Sequence, residues 1–234
     1  MILLLKLILA HLIGDFILQP KSWVKSKEKR KLKSPKLYLH VAIHMVLLFI
    51  LVWDISYWPL LLTLTFLHLI IDAIKLIFQT KKSKRQWFFI DQILHIVSIF
   101  LTYYLYTNTT FTIFEIPTES ALLLLTCLLF LTKPVSIIMQ AIFSKWNIEK
   151  LTKGNESLKD AGQYIGILER LLVFIFIIMN HWEAVGFLIT AKSVFRFGDL
   201  KESKHRKLTE YILIGTLISF GIAIITGITF QILA

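Results

Sequence analysis

The chain has 234 residues, 56% of them hydrophobic, and a mean hydropathy of +0.70. A soluble domain is about 45–50% apolar, so this composition excludes an ordinary soluble enzyme and points to an integral membrane protein. The formal net charge is +11, and the single cysteine, Cys127, excludes an intrachain disulfide and any zinc site built on cysteines.

Apolar stretches near the length of a bilayer core predict eight membrane-spanning helices in chain order. They cover residues 2–20, 37–53, 58–78, 88–106, 120–143, 162–180, 182–197 and 209–232. The first begins at the N-terminus without a basic leader and stops at Pro20, with no small-residue cleavage site, so it reads as a helix rather than a signal peptide. Pro35 opens the second. Trp53, Tyr57 and Trp58 bracket a short turn and mark an interface. Lys133-Pro134 predicts a kink in the fifth span. The seventh is the shortest, which fits a tilted or partly re-entrant helix. The expected architecture is an all-α polytopic bundle in two halves. Residues 1–107 form one four-helix membrane domain and residues 108–234 a second.

Lysine and arginine alternate between connections. The loop at 21–36 is strongly basic, as are those around 81–85, 145–159 and 201–207, whereas the turns near 54–58, 107–118 and 180–183 have no Lys or Arg. Such alternation places the basic loops in the cytoplasm, which with eight spans puts both termini outside. It also accounts for the basic runs without nucleic acid. The partner expected of them is the bilayer, with weak attraction to anionic headgroups.

Histidine and aspartate carry the chemistry. His11/Asp15, His40/His44, His68/Asp72 and Asp91/His95 are four pairs at i,i+4, one in each of the first four spans. Residues four apart share a helix face. Thirteen His and Asp residues scattered through the chain would give about one such pair. The topology drawn from Lys and Arg alone brings all four pairs to the cytoplasmic half of their helices, at similar depth. Imidazole and carboxylate together bind zinc, manganese or iron, and eight donors suffice for one or two divalent ions, zinc being preferred. A structural hydrogen-bond network or a proton or ion pathway are the alternatives. Aspartate in an apolar span costs about 2.5–3.5 kcal/mol, which is expensive for adhesion alone. His11, His40, His68 and His95 are the expected ligands, with His44 the weakest. Asp15, Asp72 and Asp91 would ligate, bridge metals or activate water.

Further polar residues accompany this set. Gln19 follows Asp15 by four, Gln92 adjoins Asp91, and Lys75 lies one turn from Asp72. Lys75 would either neutralise a substrate phosphate or snorkel to the headgroups. In the second half, Glu169, Arg170, Lys192 and Arg196 fall in the inner half of their helices, with Glu210 opening the last span. They would bind an anionic headgroup or form ion pairs that pack helices. His181 and His205 fall in loops.

The runs His-Leu-Ile-Gly-Asp-Phe-Ile-Leu-Gln at 11–19, His-Leu-Ile-Ile-Asp at 68–72 and Asp-Gln-Ile-Leu-His at 91–95 resemble a bacterial polytopic membrane family catalogued only as a domain of unknown function. The resemblance covers residues 1–107. Gly166-Ile-Leu-Glu-Arg-Leu and Ala191-Lys-Ser-Val-Phe-Arg196 resemble the longer Bacteroidota-type members. A weaker likeness is to membrane-bound metal-dependent hydrolases, though their HisArg and ThrHis run is missing. The His-x-x-x-Asp pairs are also similar to those of helical zinc phospholipases C and nucleases. These likenesses imply a reaction class only. The expected function is metal-dependent hydrolysis, with a phosphoester substrate, at the inner face of a bacterial cytoplasmic membrane. A metal- or proton-coupled transporter and a non-catalytic scaffold or sensor are the alternatives. Asp15, Asp72, Asp91 and Lys75 would be catalytic, and Lys75, Glu169, Arg170, Lys192 and Arg196 would bind substrate.

Overall fold

A computed structural model of the protein describes residues 2–107, 120–145, 161–202 and 206–234, with the side chains of 195–209 excepted. Every regular element among the described residues is helical, as the unbroken apolar stretches require: a chain in lipid must satisfy its backbone hydrogen bonds internally. Among the described residues six helices are long and apolar enough to cross a membrane, or seven if a bent pair near the N-terminus counts as one span.

That pair comes first. Helix α1 (Ile2–Leu12) runs on as a π-helical turn, Ile13–Ile17. Pro20, extended at ψ 149°, then starts α2 (Lys21–Arg30), and the two helical stretches are bent by 83°. The 21–36 segment is therefore largely helical rather than a loop. Lys, Arg and Glu are good helix formers, and proline stops the helix before it without blocking the next one.

Helices α3 (Pro35–Val52), α4 (Trp58–Phe78) and α5 (Lys84–Thr107) follow. Pro35 and Pro59 occupy the first turns of α3 and α4, where a missing N–H costs nothing. Helix α3 ends on Trp53 in the left-handed region, φ 52°. Helix α1 packs on α3 and α5, and α4 packs on the same two, so the four make a closed ring. One end of that ring is filled by Leu4, Leu7 and Ala10 with Leu48, Val52, Leu60, Leu61, Leu64 and Ile99. Lipid tails are as apolar as leucine, so this layer gains from close packing rather than from escaping water. The His/Asp pairs occupy the other end of the same helices.

The chain divides into two compact units, Met1–Thr126 and Cys127–Ala234. The remaining helices are α6 (Ser120–Leu131), α7 (Lys133–Phe143), α8 (Ala161–Ile178), α9 (Trp182–Glu202) and α10 (Arg206–Leu233). The kink expected at Lys133-Pro134 is a break at Thr132, between α6 and α7. Helix α8 packs on α7, α9 and α10. Helix α9 covers the seventh expected span but is not among the six apolar helices, because Glu183, Lys192, Arg196 and Asp199 interrupt it.

Candidate metal centre

The four helices of the ring bring all eight predicted donors into one buried layer. His11, His40, His44, His68, Asp72, Asp91 and His95 are buried, and the Asp15 side chain is 9% exposed. Five imidazoles lie ring against ring: His44 and His68 stack with centroids 3.8 Å apart, His68 and His95 are 4.2 Å apart, and His11 and His95 are 5.2 Å apart.

Asp15 is the hub. Its Oδ1 is 2.9 Å from His44 Nε2, 3.1 Å from His40 Nε2 and 3.7 Å from His68 Nε2. His40 Nε2 and His68 Nε2 are 3.1 Å apart. Ligand atoms about 2.0–2.1 Å from a tetrahedral zinc are separated by about 3.3 Å, so these spacings match the edges of a coordination polyhedron. His44, the ligand least expected from its position, has the shortest contact with Asp15. Three donor groups have atoms within 4.8 Å of one another: His11, Asp15, His44 and His68; His40, His68 and Asp72; Asp15, Asp91 and His95.

The local backbone explains how Asp15 arrives there. The π-turn at Ile13–Ile17 widens the helix by one residue per turn, a feature frequent at functional sites. Gly14 lies in this turn. A Cβ on it would stand 2.8 Å from His44 Cδ2 and closer still to Nε2 and Cε1 of the same ring. Only glycine lets the His44 ring lie against this turn.

The two other carboxylates are held by lysines. Lys75 Nζ donates to Asp91 Oδ2 at 2.7 Å, so it turns into the site rather than out to the headgroups. Lys27 Nζ donates to Asp72 Oδ2 at 2.7 Å, and both side chains are about nineteen-twentieths buried. Lys27 belongs to the basic 21–36 segment, whose lysines the sequence assigns to topology and weak headgroup attraction. The 83° bend carries α2 to where its lysine reaches the site. Lys25, Lys29 and Lys31 surround it in the sequence, and nothing sets Lys27 apart from them. Gln92 Nε2 donates to Asp15 Oδ2 and Asp91 Oδ2, each at 3.1 Å, and Gln92 Oε1 is 3.3 Å from His11 Nε2. Gln19 Nε2 is 2.8 Å from His40 Nε2.

Two buried atoms of this layer have no hydrogen-bond partner among the described residues, Asp91 Oδ1 and His95 Nε2. His95 Nδ1 lies 2.8 Å from the Asp91 carbonyl oxygen and donates to it, which leaves Nε2 as a bare lone pair. This is the hydrogen bond by which a metal-binding histidine is usually oriented. An unsatisfied buried acceptor costs about 1–3 kcal/mol. Two of them in one donor group, Asp15, Asp91 and His95, ask for a cation. A void of about 20 Å³ adjoins His11, His44, His68 and His95, room for about one water.

The C-terminal residues form a separate set within the second unit. Glu169 accepts from Lys192 in a close ion pair. Arg170 is buried and, among the described residues, donates only to neutral oxygens. The Arg196 side chain and His205 lie outside the described residues, and His181 is exposed beside Glu183.

No curated protein and no solved structure matches the chain. None of the comparisons supports the likeness to membrane-bound hydrolases. A family model described as a protein of unknown function, DUF3307, matches residues 3–124, more than half of the chain and every one of the eight donors. The four-helix ring and its His/Asp layer are thus the part shared with a family, and the chain belongs to the DUF3307 family.

Proposed function

We propose that the first unit is a membrane-embedded metal centre that holds one divalent transition ion, zinc by preference, and hydrolyses a phosphoester presented at the cytoplasmic face of a bacterial inner membrane. The observation that carries the metal is the pair of orphaned acceptors beside Asp15, inside a layer of five imidazoles. Charge favours a single ion. Three carboxylates against Lys27 and Lys75 leave the layer at −1, so one divalent ion brings it to +1 and two would bring it to +3.

A divalent ion there supplies an activated water and a Lewis acid for a phosphoryl oxygen. The chain's own groups do the rest. Asp15 and the histidines would hold the ion, while Gln92 holds Asp15 and Asp91 in register. Water adds to phosphorus, the ester P–O bond breaks, and the proton lost by water passes through one of the three carboxylates to the leaving alcohol. Lys75, 23% exposed, is the cation best able to shift from its carboxylate to a phosphate oxygen.

Closure of one end of the ring supports hydrolysis over transport. A carrier needs a route through both halves of the ring, and the other half is packed with leucine and valine. The cytoplasmic assignment rests on the basic connections. We read α9 as a span because Lys192 is neutralised by Glu169, which makes eight spans and puts both termini outside.

The test is elemental analysis of protein purified without chelators, followed by a screen of phosphoesters in nanodiscs. One metal per chain with metal-dependent turnover is expected. Metal-dependent solute flux without hydrolysis would replace the hydrolase with a carrier, and a protein that binds no metal on titration would sink both. Cysteine labelling of 107–118 from outside intact cells, with none at 21–36, checks the topology.

A further inference from the structure

The second unit contains a cavity of about 360 Å³, between α7, α8, α9 and α10. Arg170, Lys192 and Glu169 line it. Their charges sum to +1, because Glu169 and Lys192 neutralise each other and no carboxylate pairs with Arg170 among the described residues. Arg170 is 3% exposed. It donates to the Leu131 carbonyl at 2.8 Å, the Thr132 carbonyl at 3.3 Å, Ser136 Oγ at 2.8 Å and Ser219 Oγ at 3.2 Å. Four of its five N–H groups are thereby used, and an Nη1 hydrogen remains. Gly166 lies beside Nη1, 3.2 Å from where a Cβ would stand, and the absence of a side chain leaves that nitrogen open to the cavity.

Neutral acceptors solvate a buried cation but leave its charge in place, and an unpaired buried charge is costly. The missing component is an anion. We propose that this cavity binds a singly charged phosphodiester headgroup, a ligand site distinct from the metal centre. Guanidinium is the group suited to phosphate oxygens, and a surplus of one positive charge selects a diester over a doubly charged monoester. Gln140, Gln163 and Thr216 line the cavity and suit a hydroxylated substituent, while Met139, Ile165 and Ile212 give it an apolar side. The volume is at the lower end of about 300–1,000 Å³ for small-molecule sites. It accommodates a headgroup and leaves acyl chains in the bilayer.

The experiment measures binding by the full chain in detergent, with phosphatidylglycerol, phosphatidylcholine and the deacylated diester glycerophosphoglycerol as probes. Phosphatidylglycerol binds at least tenfold tighter than phosphatidylcholine. Arg170→Gln removes that preference. Because Arg170 also holds the carbonyls at the Thr132 break, this variant can fail to fold, and Gly162→Leu serves beside it. Gly162 lines the cavity and a Cβ there meets nothing within 4 Å, so a leucine has room to start from the backbone, takes up cavity space and weakens phosphatidylglycerol at least tenfold. Glycerophosphoglycerol assigns the source: competition at the lipid's own affinity identifies a soluble diester, and competition a hundredfold weaker identifies the lipid, each supporting the diester site. Equal affinity of the wild-type chain for the two lipids overturns the proposal. So does an undiminished preference in Gly162→Leu.

Discussion

The two units handle buried charge in opposite ways. In the first, eight His and Asp side chains, two lysines and two glutamines close on one another, and the void beside His11, His44, His68 and His95 is only about 20 Å³. In the second, one arginine and one ion pair line a cavity of about 360 Å³. The first arrangement leaves orphaned lone pairs, and the second leaves an unpaired cation, so one is short of a positive charge and the other of a negative one. Each also depends on a departure from regular helix. The π-turn at Ile13–Ile17 swings Asp15 among the histidines. The break at Thr132 exposes carbonyls that Arg170 takes up. A uniform helix would satisfy its own backbone and offer neither.

If this contrast is right, damage to one unit has a different signature from damage to the other. The largest effect is on metal. His68→Ala removes a side chain that belongs to two of the three donor groups and should take metal from about one ion per chain to near zero, a loss exceeding the roughly 10–100-fold that follows removal of a group merely hydrogen-bonded to a ligand. Elemental analysis of the folded variant checks it. Full metal occupancy in His68→Ala would leave the layer as a hydrogen-bond network and erase the contrast. Next is Lys27→Met, which strands Asp72 without its ammonium partner. Breaking a buried pair from one side costs about 3–5 kcal/mol, read as lost stability in detergent unfolding. Added zinc should recover part of it, since a freed Asp72 carboxylate can join His40 and His68 as a donor.

Most of the first unit was legible in the sequence, and the reason is periodicity. A helix puts i and i+4 on one face whatever its tertiary context, so four His/Asp pairs declared four inward faces. The shared level of the four pairs was expected from the alternation of basic connections. Lys27 was not legible, because its position depends on an 83° turn after Pro20, and a lysine among lysines carries no mark of burial. Gly14 gave no signal either, since its need arises from a ring on another helix. In the second unit the charges, and an ion pair among them that packs helices, could be read, but the cavity could not. Glu169 and Lys192 meet across helices, and the cavity beside them exists through the Thr132 break, a backbone event that Lys133-Pro134 announced only as a kink.

Gly14→Ala tests the close approach on which the first unit depends. The added methyl overlaps the His44 ring, and either the ring or the turn must shift. Overpacking of this kind costs about 1–3 kcal/mol, measured by unfolding, and should weaken metal binding as His44 moves away from Asp15. Unchanged stability together with unchanged metal affinity would mean that the turn tolerates a side chain and that His44 is not held by it.

The smallest effect on stability is expected in the second unit, and it separates charge from packing there. Glu169→Gln keeps the shape of the side chain and removes its charge. Polar pairs inside helical membrane bundles contribute about 0.6 kcal/mol on average and up to about 1.7. The Glu169 and Lys192 side chains are 14% and 22% exposed, so water compensates part of the loss, and a change near 1 kcal/mol is expected. The charge of the cavity changes more than its stability. Removing Glu169 takes the sum over Arg170, Lys192 and Glu169 from +1 to +2. A cavity at +2 should gain affinity for a doubly charged phosphomonoester relative to the diester, so phosphatidic acid should rise against phosphatidylglycerol in competition. The first unit should keep its metal throughout. A variant that loses stability by several kcal/mol, with no change in the order of anionic lipids, would show that the ion pair packs helices and that its charge does not reach the cavity.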